Sequence, residues 1–331
     1  MIILMTLGCV SSSSNNKVKT AKTESTVRVV FIADTHIIGP QYECCSESDG
    51  VDNASIMRTQ ERLQKTITQI NAIEPQPDHI FILGDVLHDA YHSTDLGWYQ
   101  TENNAFKVAA DLLDDLHAPV HILWGNHDYE VDCNLGPNHH DRELSHQLFE
   151  TFFQMPTHGV VEAGSWKFIM LNSQLGPTWD PNSEKCDTEL GSYGEEQLTW
   201  LDNLLSDDRP AIVMTHHHML TSTAEAENDG GNPDLATVLA RHDNVAFHIA
   251  GHLHRWYDIE SSPLTPVRHI ILGATRYDDD NFWVAEFDTN GDYRILDYEK
   301  PQWNTTCADT WLYYGIPELT ANTVENGDCS F

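Results

Sequence analysis

Aspartate, asparagine and histidine residues recur in five short clusters along this chain of 331 residues. The clusters are Asp34-x-His36, Gly84-Asp85, Gly125-Asn126-His127-Asp128, His216-His217-His218 and Gly251-His252-x-His254. Carboxylate, amide and imidazole groups without cysteine form a mixed oxygen and nitrogen ligand set, which suits Mn, Fe or Zn in a catalytic site. One carboxylate can bridge two cations about 3.5–4 Å apart, as hydrolysis at a two-metal site requires. We therefore expect metal-dependent chemistry.

Each cluster directly follows a short apolar run that we predict to be a buried strand. These runs lie at residues 27–33, 79–83, 120–124, 211–215 and 245–250. Helical periodicity separates them at residues 55–73, 106–116 and 196–205. This alternation of strands and helices is typical of α/β proteins. Ligands bind beyond the carboxyl ends of the strands in such sheets, so the five clusters should meet at one rim.

The remaining segments complete this layout. Further strands are expected at residues 267–272, 282–288 and 293–298, with Asn290-Gly291 as the hairpin turn between the last two. Residues 39–53 and 178–191 are polar and are predicted to be loops at the rim. Glycines precede Asp85, Asn126 and His252. Because glycine has no Cβ, the backbone can turn tightly there and bring each ligand inward.

The ordered series of clusters resembles the calcineurin-like metallophosphoesterase superfamily over roughly residues 27–255. Residues 197–201, Gln-Leu-x-Trp-Leu, also resemble a helix of the class III cyclic-nucleotide phosphodiesterase-like branch. The resemblance implies an α/β fold, namely a β-sandwich flanked by helices with a dinuclear metal site at the carboxyl ends of its strands. One position departs from the pattern. His88 stands three residues after Asp85, where members of the branch often carry a carboxylate or an amide.

The resemblance implies a role for each matching position. One metal ion would be bound by Asp34, His36, Asp85 and His254. The second ion would be bound by Asp85, Asn126, His216 and His252. Asp85 would thus bridge the two ions, and a hydroxide that also bridges them would attack the phosphorus in line. His127 matches the family's histidine that binds no metal and either protonates the leaving group or stabilises charge on the phosphorus.

Three other polar residues are candidates for supporting roles. Asp128 is either a carboxylate that orients a metal ligand or a simple turn residue. His217 and His88 could contact a metal ligand or the substrate. We prefer His216 as the metal ligand because it lies closest to the predicted strand end, and His217 is the alternative.

The resemblance implies a metal-dependent phosphoester hydrolase, and the branch favours a phosphodiesterase that acts on small phosphodiesters such as cyclic nucleotides. Its cofactors would be two divalent or trivalent ions of Mn, Fe or Zn. A phosphomonoesterase is the alternative, and a non-catalytic metal-binding scaffold on the same fold is the third hypothesis. Nucleic acid is not expected as a partner. The chain has 18 Lys and Arg against 51 Asp and Glu, and its formal charge of -33 repels a polyanion.

The chain is predicted to have three parts. Residues 1–26 resemble an export or lipoprotein signal with a flexible tether, residues 27–300 form the metallophosphoesterase domain, and residues 301–331 form a C-terminal extension. The apolar start leads to Cys9, where a lipid would attach the protein to a membrane, although no basic residue precedes the apolar run. We expect an exported protein that is periplasmic, membrane-anchored or extracellular. A cytoplasmic protein is the alternative.

The seven cysteines show no Cys-x-x-Cys spacing of the kind that binds zinc. If Cys9 carries a lipid, an even set of six remains, which is compatible with disulfides in an exported protein. A bond between Cys307 and Cys329 would close a loop in the C-terminal extension. Free thiols in a cytosolic protein are the alternative.

Overall fold

A computed structural model of the protein describes residues 26–43, 51–131, 133, 142–219, 234–259 and 266–296. The expected lipid site at Cys9 and the expected disulfide between Cys307 and Cys329 lie outside these residues. Among the cysteines that are described, Cys133 and Cys186 form a disulfide. Within the same ranges, no helix has both the length and the apolar character that a membrane span requires.

The described strands form two sheets. The first sheet, in the order β11-β10-β1-β2-β3, contains β1 (Val27–Ile32), β2 (His79–Ile82), β3 (Val120–Ile122), β10 (Phe282–Phe287) and β11 (Tyr293–Ile295). The second sheet, in the order β4-β5-β6-β7-β9-β8, contains β4 (Gly159–Ala163), β5 (Trp166–Met170), β6 (Ala211–Met214), β7 (Val245–Ala250), β8 (Tyr257–Ile259) and β9 (Arg268–Ile271). Strands β1, β2 and β3 are parallel, as are β5, β6, β7 and β9, so the carboxyl ends within each set lie at one edge.

The sheets pack face to face. Because alternate residues of a strand point to opposite faces, β1 directs Val29 and Phe31 into a buried cluster shared by both sheets. Phe81 of β2 stacks on Phe168 of β5, with 5.4 Å between the ring centroids. Full burial of such a side chain contributes about 1.5–3 kcal/mol. These aromatic contacts hold the two sheets together as a sandwich.

Helices cover the outer faces of both sheets. They are α1 (Val51–Ile56), α2 (Thr59–Asn71), α3 (Leu96–Thr101), α4 (Ala105–Leu113), α5 (Arg142–Phe153), α6 (Glu195–Leu204) and α7 (Leu235–Leu239). Val30 and Ile32, on the opposite face of β1, pack in one cluster with residues of α2, α4 and α5. Val213 of β6 packs with residues of α6 and α7. The predicted β-sandwich flanked by helices is confirmed.

Several elements differ from the sequence-based expectation. The single helix expected at residues 55–73 is broken, because α1 ends at Ile56 and α2 begins at Thr59. The loop expected at residues 39–53 runs into α1. The hairpin of β4 and β5 and the helix α5 were not predicted, although Gly164, with a φ of 60°, marks the turn of that hairpin. Strand β4 is half exposed, which weakens its apolar pattern.

Candidate metal centre

The loops that follow β1 and β2 run side by side and bring the first two clusters into contact. The backbone N–H of Asp34 donates to the Gly84 carbonyl oxygen at 3.1 Å, and that of His36 donates to the Asp85 carbonyl oxygen at 2.9 Å. These bonds continue the parallel pairing of β1 with β2 beyond the strand ends. The candidate ligands therefore sit on backbone that the sheet itself positions.

The backbone at the candidate ligands is strained. Seven described residues other than glycine have a positive φ, and five of them are candidate ligands. These five are Asp34 (54°), His36 (47°), Asp85 (51°), His252 (69°) and His254 (57°). Each such conformation costs on the order of 1–3 kcal/mol, and residues of this kind concentrate at functional sites. The strain is thus concentrated where the side chains must converge.

Glycines allow a close approach of backbone and side chains at this rim. A Cβ at Gly125 would lie 2.2 Å from both the backbone nitrogen and Oδ1 of Asp85. At Gly251 it would lie 2.8 Å from Asp34 Oδ2. Only Gly84 has a positive φ, of 89°, among the glycines that precede the clusters. A tight turn therefore explains Gly84, whereas Gly125 and Gly251 are required because there is no room for a side chain.

One group of ligand atoms surrounds the imidazole of His36. Single ligand atoms of Asp34, His36, Asp85 and His254 all lie within 4.8 Å of one another. The Nε2 atom of His36 is 3.0 Å from His254 Nε2 and 3.5 Å from Asp85 Oδ2. His254 Nε2 is 3.4 Å from Asp34 Oδ1. The four residues proposed from the sequence for the first ion are therefore brought together.

A second group lies on the other side of Asp85. Ligand atoms of Asp85, His216 and His252 lie within 4.8 Å of one another. Asn126 joins them, because its Oδ1 is 2.9 Å from His216 Nε2 and 3.0 Å from His252 Nδ1. Asp85 Oδ2, the oxygen that faces His36, is also 3.3 Å from His216 Nε2. Asp85 is therefore common to both groups.

The protonation of these groups fits metal binding. Burial lowers the pKa of His36 and of His252 well below the usual value, so both imidazoles are neutral near pH 7. Burial raises the pKa of Asp85, but the electrostatic interactions with His216 and His127 outweigh this and hold it well below its usual range. For His216, burial lowers the pKa, but the Asp85 carboxylate raises it to about 9. Metals bind neutral imidazole and ionised carboxylate, so a cation would replace the proton on His216.

The sequence model of the calcineurin-like phosphoesterase family matches residues 27–256 of this chain. This chain belongs to that family. It is 24% identical over 242 residues to the 3',5'-cyclic adenosine monophosphate phosphodiesterase CpdA of Escherichia coli K12, which covers 72% of this chain and 73% of that protein. It is 26% identical over 238 residues to the probable glycerophosphodiester phosphodiesterase GpdQ of Arcobacter nitrofigilis, with coverage of 69% and 71%.

A solved structure supports the fold of this phosphoesterase. A dimetal phosphatase from Danio rerio superimposes with a TM-score of 0.54 at 18% identity, covering 79% of this chain and 93% of that chain. The predicted superfamily and its cyclic-nucleotide phosphodiesterase-like branch are confirmed by the family match and the named relatives. The protein is a hydrolase that acts on phosphoric ester bonds, with phosphodiesterase-like character.

In this phosphoesterase, His127 lies beside both groups of ligands without belonging to either. Its backbone N–H donates to Asp85 Oδ1 at 2.8 Å. Its ring packs edge-on against His36 and stacks on His88, with 4.8 Å between the centroids in each case. Burial lowers its pKa, although the Asp85 carboxylate opposes the shift. The residue therefore lies next to the shared carboxylate, with its ring against His36 and His88.

Asp128 connects the loops after β2 and β3. Its Oδ1 accepts from the backbone N–H of Leu87 at 3.0 Å, and its Oδ2 accepts from those of Gly125 at 2.9 Å and Val86 at 3.3 Å. It is fully buried, and burial together with the nearby Asp85 raises its pKa to about 8. Among the described residues, the Asp128 side chain thus forms no hydrogen bond with a candidate metal ligand. It positions the backbone beside two of them, Asp85 and Asn126.

His217 directs Nδ1 at Ser173. Its Nδ1 lies 2.8 Å from Ser173 Oγ, and its ring centroid is 4.4 Å from that of His252. It belongs to neither of the two groups around Asp85 that the described residues form. His216, the preferred ligand, is the one that reaches Asp85.

Arg276, which lies outside the five sequence clusters, is a cation beside the ligand groups. Its backbone N–H donates to the Asp34 carbonyl oxygen at 3.1 Å, and its guanidinium donates to Ser55 Oγ at 3.0 and 3.1 Å. Burial lowers the pKa of His88 to about 3, and electrostatic interactions with His127 and Arg276 add to this shift. Arg276 follows β9, so the rule that polar residues at strand ends reach the rim also predicts its place.

Proposed function

We propose that this phosphoesterase hydrolyses small phosphodiesters, such as cyclic nucleotides, with two Mn, Fe or Zn ions bound by the two groups that share Asp85. The observation that carries the proposal is the position of Asp85 Oδ2, 3.5 Å from His36 Nε2 and 3.3 Å from His216 Nε2. Ions bound there would supply Lewis acidity, which makes water a stronger nucleophile near neutral pH and offsets the negative charge of the phosphoryl group.

The chain would assist departure of the leaving group through His127. The backbone of this residue is anchored to Asp85 Oδ1 at 2.8 Å, so its imidazole has a defined place next to the shared carboxylate. Near neutral pH the imidazole still has one N–H to donate. A bound anionic phosphoester favours the protonated imidazole, which can then give a proton to the leaving oxygen.

The names of the relatives support diesters rather than monoesters as substrates. One is a cyclic AMP phosphodiesterase and another a probable glycerophosphodiester phosphodiesterase, at 24% and 26% identity. At this similarity they indicate the type of bond rather than the compound. A phosphomonoesterase remains the alternative to be tested.

A comparison of two chromogenic substrates tests this proposal. The purified full chain would be loaded with Mn and assayed with bis(4-nitrophenyl) phosphate and with 4-nitrophenyl phosphate, then with cyclic nucleotides and a glycerophosphodiester. We expect kcat/KM to be higher for the diester. A higher kcat/KM for the monoester would favour the phosphomonoesterase, whereas two bound metals without turnover would identify a scaffold.

We also propose that the protein is exported. The apolar residues 1–10, which include Cys9, support this, and so does the disulfide between Cys133 and Cys186, since disulfides persist mainly in oxidising compartments. Mass spectrometry of the mature N-terminus, with fractionation of the producing cells, tests the proposal. An unprocessed start and a cytoplasmic pool with reduced cysteines would contradict it.

A further inference from the structure

His88, the position that departs from the family pattern, contacts two residues of the site. Its Nδ1 lies 3.2 Å from Nδ1 of His36. Its ring stacks on that of His127 with an interplanar angle of 30°. Its backbone N–H donates to the Ile37 carbonyl oxygen at 3.0 Å, which ties it to the loop that carries His36. The position of His88 is thus set by the backbone.

The two nitrogens of His36 face different partners. Nε2 faces His254 Nε2 at 3.0 Å and Asp85 Oδ2 at 3.5 Å, so it is the nitrogen turned towards the first group of ligands. A nitrogen that binds a metal carries no proton, so the proton of neutral His36 must be on Nδ1. That N–H can donate to His88 Nδ1, which must then be unprotonated.

We propose that His88 is a positioning residue: it accepts the Nδ1–H of His36, and so holds the His36 ring with Nε2 directed at the first metal ion. Partners of this kind fix the tautomer and orientation of metal-binding histidines. The inference rests on the proposed two-metal function and adds a residue to it. Through its stacked ring, His88 also limits the positions open to His127.

In the second group, a main-chain carbonyl takes the place that His88 has beside His36. Nδ1 of His216 lies 2.8 Å from the Leu83 carbonyl oxygen, which can accept its proton and leave Nε2 free for a metal. A side-chain substitution cannot remove that carbonyl. Loss of His88 should therefore lower the affinity for the ion at His36 and leave the affinity for the ion at His216 unchanged.

A third cation is the competing explanation of the same contacts. Ligand atoms of His36, His88 and His127 also lie within 4.8 Å of one another. However, His36 already directs Nε2 at the first group, so binding a further ion through Nδ1 would require an imidazolate that had lost both protons. The hydrogen bond from His36 to His88 requires no such change.

Three variants of the full chain test the inference. His88→Leu removes the acceptor at similar volume, and His88→Asn retains an oxygen near the place of Nδ1. His117→Leu is the matched control, because His117 is exposed and belongs to none of the ligand groups that the described residues form. Mn binding would be titrated by paramagnetic resonance and elemental analysis, with circular dichroism to verify that each variant is folded.

We expect two ions in the parent protein, and in His88→Leu an affinity for one of them that is lower by about 10–100-fold, with the other unchanged. His88→Asn should recover most of the loss, and His117→Leu should bind as the parent does. Three results for His88→Leu would overturn the inference but not the proposed function. They are unchanged affinities, an equal fall in the affinity for both ions, and the loss of a third ion. A parent that binds fewer than two ions would overturn the proposed function as well.

Discussion

The carboxylate of Asp85 and the imidazole of His216 lie 3.3 Å apart, although they belong to different sheets. Asp85 follows β2 of the first sheet, and His216 follows β6 of the second. The same carboxylate oxygen is 3.5 Å from His36, which follows β1. A site with two groups of ligands therefore exists only where the rims of both sheets meet.

Replacing Asp85 with Ala should remove both metal ions together, because both groups share this carboxylate. Metal content per chain should fall from two ions to nearly none, and phosphodiester hydrolysis should fall with it. Elemental analysis after gel filtration measures this. Asp111→Ala, at an exposed carboxylate of α4, is the control and should retain both ions. A variant at position 85 that kept two ions would rule out the bridging role.

Replacing His127 with Ala should leave metal binding intact but slow turnover by about 10²–10⁴-fold, the usual contribution of a general acid. The loss should be larger for an alkyl diester than for a nitrophenyl diester, because a good leaving group needs less protonation. Steady-state kinetics with both substrates tests this, with the exposed His92→Ala as the control. Equal losses for both substrates would indicate that His127 stabilises charge on the phosphorus instead.

Replacing Gly125 with Ala should disrupt the site. The new Cβ would meet the backbone nitrogen and Oδ1 of Asp85 at 2.2 Å, so the shared carboxylate or its loop must move. We expect weaker metal binding and a loss of about 1–3 kcal/mol in the free energy of unfolding. Gly159→Ala is the control, because its Cβ would have only ordinary contacts, at 3.6 and 3.7 Å. Equal effects of the two substitutions in urea unfolding and metal titration would contradict this account.

Replacing Glu286 with Gln should destabilise the fold near pH 7. Glu286 is buried between Arg28, whose Nε donates at 3.0 Å, and Arg294, whose Nε donates at 2.7 Å. Removing one member of a buried ion pair costs about 3–5 kcal/mol. Urea unfolding measures the loss. Glu61→Gln, in an exposed ion pair with Lys65, should leave the free energy of unfolding unchanged within error.

The cost of Glu286→Gln should also depend on pH. Burial raises the pKa of Glu286, but hydrogen bonds and charge from Arg28 and Arg294 outweigh it, so the pKa is lower in the folded protein. Its stabilising contribution is therefore complete above the unfolded value of about 4.3 and is lost as the pH falls through the folded value. The difference between the parent and Glu286→Gln should shrink below about pH 4. A difference that grew on acidification would refute this assignment.

Local patterns in the sequence were sufficient to locate the candidate ligands. Apolar runs mark strands because their side chains must be buried, and a polar residue directly after such a run lies at the rim of a parallel sheet. Asp34, Asp85 and His252 could be placed in this way. The strained backbone at the same residues could not, because a positive φ outside glycine depends on the surrounding structure.

Contacts between residues that are distant in the chain could not be predicted from local sequence patterns. Nothing local indicates that Cys133 pairs with Cys186 or that His88 lies against His36. Hydrophobic alternation shows which face of a strand is buried but not which strand is its neighbour.

The amino-acid sequence by itself determined the kinds of ligand, their order and their attachment to strand ends, because these depend on residue type and on periodicities of a few residues. Only the tertiary structure decided that Asp85 stands between His36 and His216 and that Arg276 lies beside them. Those relationships arise from the packing of one sheet on the other, in which each contact depends on the position of every neighbour in a close-packed interior.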